Sequence, residues 1–184
     1  MLEAISFLVE VFLDLYVMVF ILKMWFQFCN IEYYHPISQF LMKATYYPLQ
    51  IMYIVIPRMR RIDFASFLCA LCFLMLKWTL LLLLRNSDLP NFMPLFMLSF
   101  FNLIKDCGVL LFYTLILEII LSWVSNHYNP IYLLVSQLNA LFLNGIRRVM
   151  PPVSGLDFSV MLLMIVLTFL NILFMQYIPY WSNL

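Results

Sequence analysis

Charge is scarce in this chain: Asp, Glu, Lys and Arg make up 10% of its 184 residues, while 66% are hydrophobic. Soluble domains carry about 25% charged residues, so an ordinary water-soluble domain is excluded. Glycine is rare as well, at 3 residues, against 18 Phe and 13 Met, and the mean hydropathy is +1.00. The start lacks a basic region: it reads Met1-Leu2-Glu3, the first basic residue is Lys23, and no small-residue cleavage site follows. A cleaved signal peptide is therefore not expected, and the first apolar segment stays in the mature protein. Cysteine is missing from the polar loops. Cys29, Cys69, Cys72 and Cys107 lie in or beside apolar segments, which argues against a secreted disulfide framework and for packing residues.

Reaction signatures are missing too. There is no HExxH, P-loop lysine, GxGxxG or nucleophile elbow, and Ser154-Gly155-Leu156-Asp157 lacks the paired glycines of an intramembrane aspartyl protease. No enzyme activity, cofactor or metal is expected. No basic patch interleaved with exposed aromatics points to nucleic acid.

What is present is four apolar windows, about 5–28, 64–84, 95–123 and 158–178, each long enough for the roughly 20 residues a spanning helix needs. The expected fold is an all-α membrane protein with four transmembrane helices. A short polar turn, 85–94, separates 1–84 from 95–184. Sliding the chain by 94 residues places Pro36 on Pro130, Ile37 on Ile131, Val55 on Val149, Pro57 on Pro151, Asp63 on Asp157 and Phe64 on Phe158. The two halves read as an internal repeat.

Each long loop carries a helical stripe after a proline. In the first it is Ile37, Phe40, Leu41 and Ala44, with Ser38, Gln39, Lys43 and Thr45 on the polar side; in the second it is Ile131, Leu134, Val135 and Leu138, with Ser136, Gln137 and Asn139. Such an amphipathic segment fits the membrane interface, and it equally fits a helix packed under the bundle. Basic residues concentrate in the same loops: Lys43, Arg58, Arg60 and Arg61 in one, Arg147 and Arg148 in the other, with only Arg85 on the opposite side. The positive-inside rule places both long loops in the cytoplasm and the termini and short turn outside. The halves are then parallel repeats.

The run Asn129-Pro130, Arg147-Arg148, Met150-Pro151-Pro152 and Gly155-Leu156-Asp157-Phe158-Ser159 resembles the signature of the YggT family of small bacterial integral membrane proteins, which has relatives in plastids. Its spacing recurs as His35-Pro36, Thr45, Ile56-Pro57 and Ile62-Asp63, although Tyr53 and Ile54 stand where the second half has the arginine pair. The resemblance implies an inner-membrane protein without demonstrated enzymatic activity. It also implies links to osmotic or envelope-stress tolerance, to cell division and, in plastids, to cytochrome b6 maturation.

Two groups of residues are candidates for function. The first is a lipid- or partner-binding hinge of Arg147, Arg148, Pro151 and Asp157, echoed by Arg58, Arg60, Arg61 and Asp63. Its arginines gain about 1 kcal/mol each from anionic head groups, the prolines stop a helix, and Asp157 caps the next one. A topology anchor explains the same residues. The second group is the intramembrane charges Glu10, Asp14, Lys23, Lys77, Lys105 and Glu118, each costing about 2.5 to 3.5 kcal/mol at a helix centre unless partnered.

An offset of 95 sets Glu10 against Lys105 and Lys23 against Glu118, and Asp14 offers a further pairing with Lys77. The preferred reading is a membrane organising or assembly factor. Its expected partners are membrane lipids, another membrane protein complex and further copies of the chain in a homo-oligomer. The alternatives are ion transport through the intramembrane charges and haem handling by His35 and His127. Cys69-Ala70-Leu71-Cys72 is read as apolar packing.

Overall fold

A computed structural model describes residues 2–31, 35–56, 63–84, 91–124, 129–148, 157–178 and 181. Among these the chain is all-helical: α1 Leu2–Phe28, α2 Pro36–Val55, α3 Phe64–Leu84, α4 Phe92–Val124, α5 Pro130–Arg147 and α6 Phe158–Tyr177. Four of them, α1, α3, α4 and α6, are long and apolar enough to cross a bilayer. α4 begins earlier than the apolar window because Pro94 falls in its first turn, where no intrahelical N–H bond is lost.

Local chemistry sets the helix ends. α1 stops in a Schellman turn: Ile31 N–H donates to Phe26 O at 3.1 Å and Asn30 N–H to Gln27 O at 3.1 Å. Asn30 takes φ 51°, the left-handed conformation such a turn requires at that position. The short helices start alike. His35 Nδ1 accepts from Ile37 N–H at 3.3 Å and Asn129 Oδ1 from Ile131 N–H at 2.9 Å, each followed by proline at the first helical position.

The chain divides into two compact units, Met1–Asp106 and Cys107–Leu184, so α4 contributes to both. In the first, Val17 and Phe20 of α1, Leu41 and Leu49 of α2 and Leu74 of α3 form the core. Tyr16, Phe20 and Phe73 make a ring cluster with centroids 4.9 to 5.5 Å apart. In the second, Leu115, Leu134, Leu138, Leu143 and Leu163 are buried. Much of the remaining surface is apolar: Phe12, Phe169 and Ile172 are all more than half exposed, as lipid-facing spans require.

α2 does not lie as its stripe suggests. Ser38 and Thr45, assigned to the polar side, are buried with Leu41 and Leu49, while Phe40 is 63% exposed. Thr45 turns inward at little cost because its hydroxyl donates to Leu41 O within the helix, at 2.8 Å. α5 keeps Leu134, Val135 and Leu138 inside, but Asn139 joins them at 0% exposure and Ile131 does not.

Pro48 sits inside α2. It cannot return an N–H to Ala44 O, and the Tyr16 hydroxyl donates to that carbonyl from α1 instead, at 3.0 Å.

Candidate functional site

Three polar assemblies sit within these apolar helices. In the first, Lys23 of α1 meets Asp63, the residue before α3. Lys23 Nζ lies 2.8 Å from Asp63 Oδ2, 3.1 Å from the Tyr53 hydroxyl of α2 and 3.4 Å from Ser66 Oγ. Tyr53 and Ser66 also donate to Asp63 Oδ2, at 2.8 and 2.7 Å, while Asp63 Oδ1 accepts the Ser66 N–H. One carboxylate thus caps α3, neutralises α1 and holds the end of α2 (a three-helix clamp). Burial on its own would raise the Asp63 carboxyl, but hydrogen bonds from Lys23, Ser66 and Tyr53 and the Lys23 charge outweigh it and hold the group below the ordinary aspartate value.

The second unit builds a clamp from sequence-equivalent positions with the signs rearranged. Asp157 caps α6 through Ser159 N–H at 3.0 Å, as Asp63 caps α3. The cation is now Arg147, at the end of α5, with Nε 2.8 Å from Asp157 Oδ2 and Nη2 reaching the same oxygen and, at 3.5 Å, Glu118 of α4. Tyr53 stands where Arg147 does at an offset of 94, and Lys23 where Glu118 does at 95. The cation has moved from the span to the short helix. Asn139 completes this clamp, donating to Glu118 Oε2 at 2.7 Å and to Thr114 O at 3.1 Å, while accepting from the Thr114 hydroxyl at 2.9 Å.

The third assembly lies deeper in the first unit. Lys77, 1% exposed, bonds Asp14 at 2.7 Å and Asn102 Oδ1 at 3.3 Å, and Trp78 Nε1 donates to the same Asn102 oxygen at 3.1 Å. The ammonium also sits 5.3 Å from the Trp78 ring centroid, a favourable cation–π distance.

These contacts redistribute the sequence candidates. Lys23 and Glu118 each find partners within their own unit, Asp63 for one and Arg147 with Asn139 for the other. Asp14 and Lys77 form the pair their depths allow. Glu10 makes no ion pair among the described residues, and the charges acting on Lys105 are Asp106, Lys77 and Asp14. Within the hinge, Arg147 and Asp157 bond each other, so Arg147 serves an internal contact; Arg148 is exposed.

Arg58, Arg60, Arg61, Pro151 and His127 lie outside the described residues. Cys69 is buried and Cys72 exposed, and His35 is occupied as a helix cap. No group of three His, Cys, Asp or Glu among the described residues is placed to hold a metal ion.

Sequence reasoning missed Tyr53, Ser66, Asn102, Asp106, Thr114 and Asn139. A signal was available: Ser99, Asn102 and Asp106, then Thr114 and Glu118, recur at three and four residues along α4, which puts each set on one helix face.

Four helices long and apolar enough to cross a bilayer, with shorter helices between them tied to them by part-buried hydrogen bonds to charged groups, define a polytopic α-helical membrane protein. The family model described as CCB3/YggT matches residues 2–84 and again 97–178. The chain belongs to the CCB3/YggT family. It is 39% identical over 184 residues to the "Uncharacterized protein in proC 3'region" of Vibrio alginolyticus, covering 99% of this chain and all of that one. It is 34% identical over 170 residues to the "Uncharacterized protein YggT" of Escherichia coli strain K12, covering 92% and 88%. A Haemophilus influenzae protein is 32% identical over 159 residues, covering 86% and 84%. No solved structure matches.

Proposed function

We propose that the protein is a non-enzymatic organising or assembly factor of the bacterial inner membrane, made of two parallel copies of one unit: span, amphipathic helix, capping aspartate, span. The double match of the family model and the offset that maps Asp63 onto Asp157 support the repeat. The basic residues of the long loops favour the cytoplasm for both short helices. The processes it serves are envelope or osmotic stress tolerance, cell division or the maturation of membrane complexes.

One observation carries the reading: α2 is fastened at its end by the Lys23–Asp63–Tyr53 clamp yet turns a separate apolar face outward. Phe40, Tyr47, Ile51 and Ile54 are 63 to 83% exposed and fall within about 60° of one another at 100° per residue. Leu41, Thr45 and Leu49 on the far side hold the helix to the spans. A helix fixed by one face and apolar on another is arranged to present that second face.

The test is a photocrosslinking amino acid at Ile51 or Ile54 in native membranes, in the wild type and in a Lys23→Met background that loosens the clamp. A discrete protein adduct in the wild type that disappears in Lys23→Met, with insertion and abundance unchanged, supports the assembly role. Adducts to phospholipid alone at both positions refute it.

A further inference from the structure

Among the described residues of the first unit, one buried carboxyl stays outside the ion pairs. Asp106 is 8% exposed and its Oδ2 has no hydrogen-bond partner among the described residues. It lies one turn beyond Asn102 on α4, hence on the same helix face, and Asn102 touches Lys77. The charged groups acting on Asp106 are Asp14 from α1, Lys77 from α3 and Lys105 from α4 itself.

We propose that Asp106 is a proton-binding site, its carboxyl holding an exchangeable proton inside the cluster of Asp14, Lys77 and Asn102. This inference is independent of the function proposed above and requires no path across the membrane. The ammonium of Lys77 is already bonded to Asp14 at 2.7 Å. An ionised Asp106 would add a second carboxylate to a site whose buried cation is taken, and two carboxylates sharing a site do not both ionise readily. Lys105 is its neighbour in sequence, about 100° around the helix.

A buried carboxylate oxygen with no hydrogen bond disfavours the charged form, and with Lys77 already bonded to Asp14 the group left to neutralise Asp106 is the proton. A hard metal cation fits less well. Such ions take roughly six or more oxygens, whereas Asp14 Oδ1 and Asn102 Oδ1 already accept from Lys77 and Trp78.

Infrared spectroscopy of the full chain in nanodiscs of phosphatidylethanolamine and phosphatidylglycerol reads the proton directly. The wild type at neutral pH is expected to show the deuterium-sensitive carbonyl stretch of a protonated carboxylic acid, absent in Asp106→Asn and retained in Glu10→Gln. Asp106→Asn, the neutral isostere, is expected to unfold at the wild-type midpoint, whereas Asp14→Asn, which strips Lys77 of its counter-ion, unfolds earlier.

A missing band, a band that survives Asp106→Asn, or equal destabilisation by Asp106→Asn and Asp14→Asn overturns the proposal. Loss of the band when sodium replaces choline at constant pH overturns it in favour of a metal cation. If Asp106→Asn does not insert, Asp106→Glu serves: the band must persist at a shifted frequency, and an unshifted band counts against Asp106.

Discussion

Lys23→Met and Asp63→Asn separate charge pairing from helix capping in the first clamp. Asparagine caps a helix about as well as aspartate, so Asp63→Asn retains an oxygen for the Ser66 N–H while its amide nitrogen takes the place of Oδ2, removing the charge and the acceptor shared by Lys23, Tyr53 and Ser66. It leaves the Lys23 ammonium, 14% exposed, without its counter-ion; Lys23→Met leaves Asp63, 3% exposed, in the same position. Breaking one side of a buried pair costs about 3–5 kcal/mol. The lower end applies here, near 3 kcal/mol: in Asp63→Asn the long lysine side chain can carry its head toward the interface, and in Lys23→Met the Asp63 carboxylate keeps its hydrogen bonds from Tyr53 and Ser66.

The double variant strands no charge and should lose only about 1 kcal/mol. The expected coupling is thus about 5 kcal/mol, less whatever partners the membrane-embedded unfolded chain supplies. Unfolding in lipid–detergent mixtures, followed through the fluorescence of Trp25 and Trp78, measures all four corners of the cycle. Additive losses, with the double variant near 6 kcal/mol, would refute the argument that pairing holds the clamp.

Two further outcomes follow from the same contacts. The Asp63 carboxyl is held below its ordinary value in the folded state, so its contribution is fully present above the unfolded value of about 3.9 and is lost as pH falls below that toward the folded value; the stability gap between wild type and Asp63→Asn should stay level from pH 7 to about 5 and close under acid, and a gap that persists throughout acid titration contradicts it. Tyr16→Phe removes the donor that serves Ala44 O beside Pro48 and should cost about 1 kcal/mol. After Pro48→Ala has restored an N–H to the helix ladder the same change should cost almost nothing, and an equal loss in both backgrounds would show that the hydroxyl does not replace the missing bond.

The short helices show where reading a sequence by periodicity fails. Their starts were legible, because proline at the first turn is a local signal, but the stripes 37–44 and 131–138 stopped well short of Val55 and Arg147. Which face turns inward was not legible. Thr45 and Asn139 are polar by type, yet both are fully buried, one satisfied by its own helix and the other by Thr114 and Glu118. A polarity stripe counts side chains and does not know whether a partner awaits them. The hinge shows the same limit: the positive-inside pattern explains Arg147 as a loop charge and says nothing of its contacts with Asp157 and Glu118, which join residues 10 and 29 positions away.

The sequence by itself determined the four apolar spans and the family, because hydrophobic length and motif spacing are properties of neighbouring residues. Only the tertiary structure decided which charges meet. Lys23 with Asp63, Lys77 with Asp14 and Arg147 with both Asp157 and Glu118 depend on the rotation and depth at which helices pack. A shift of one residue turns a side chain about 100° around its helix, enough to remove it from its partner, and no local pattern in the chain records that angle.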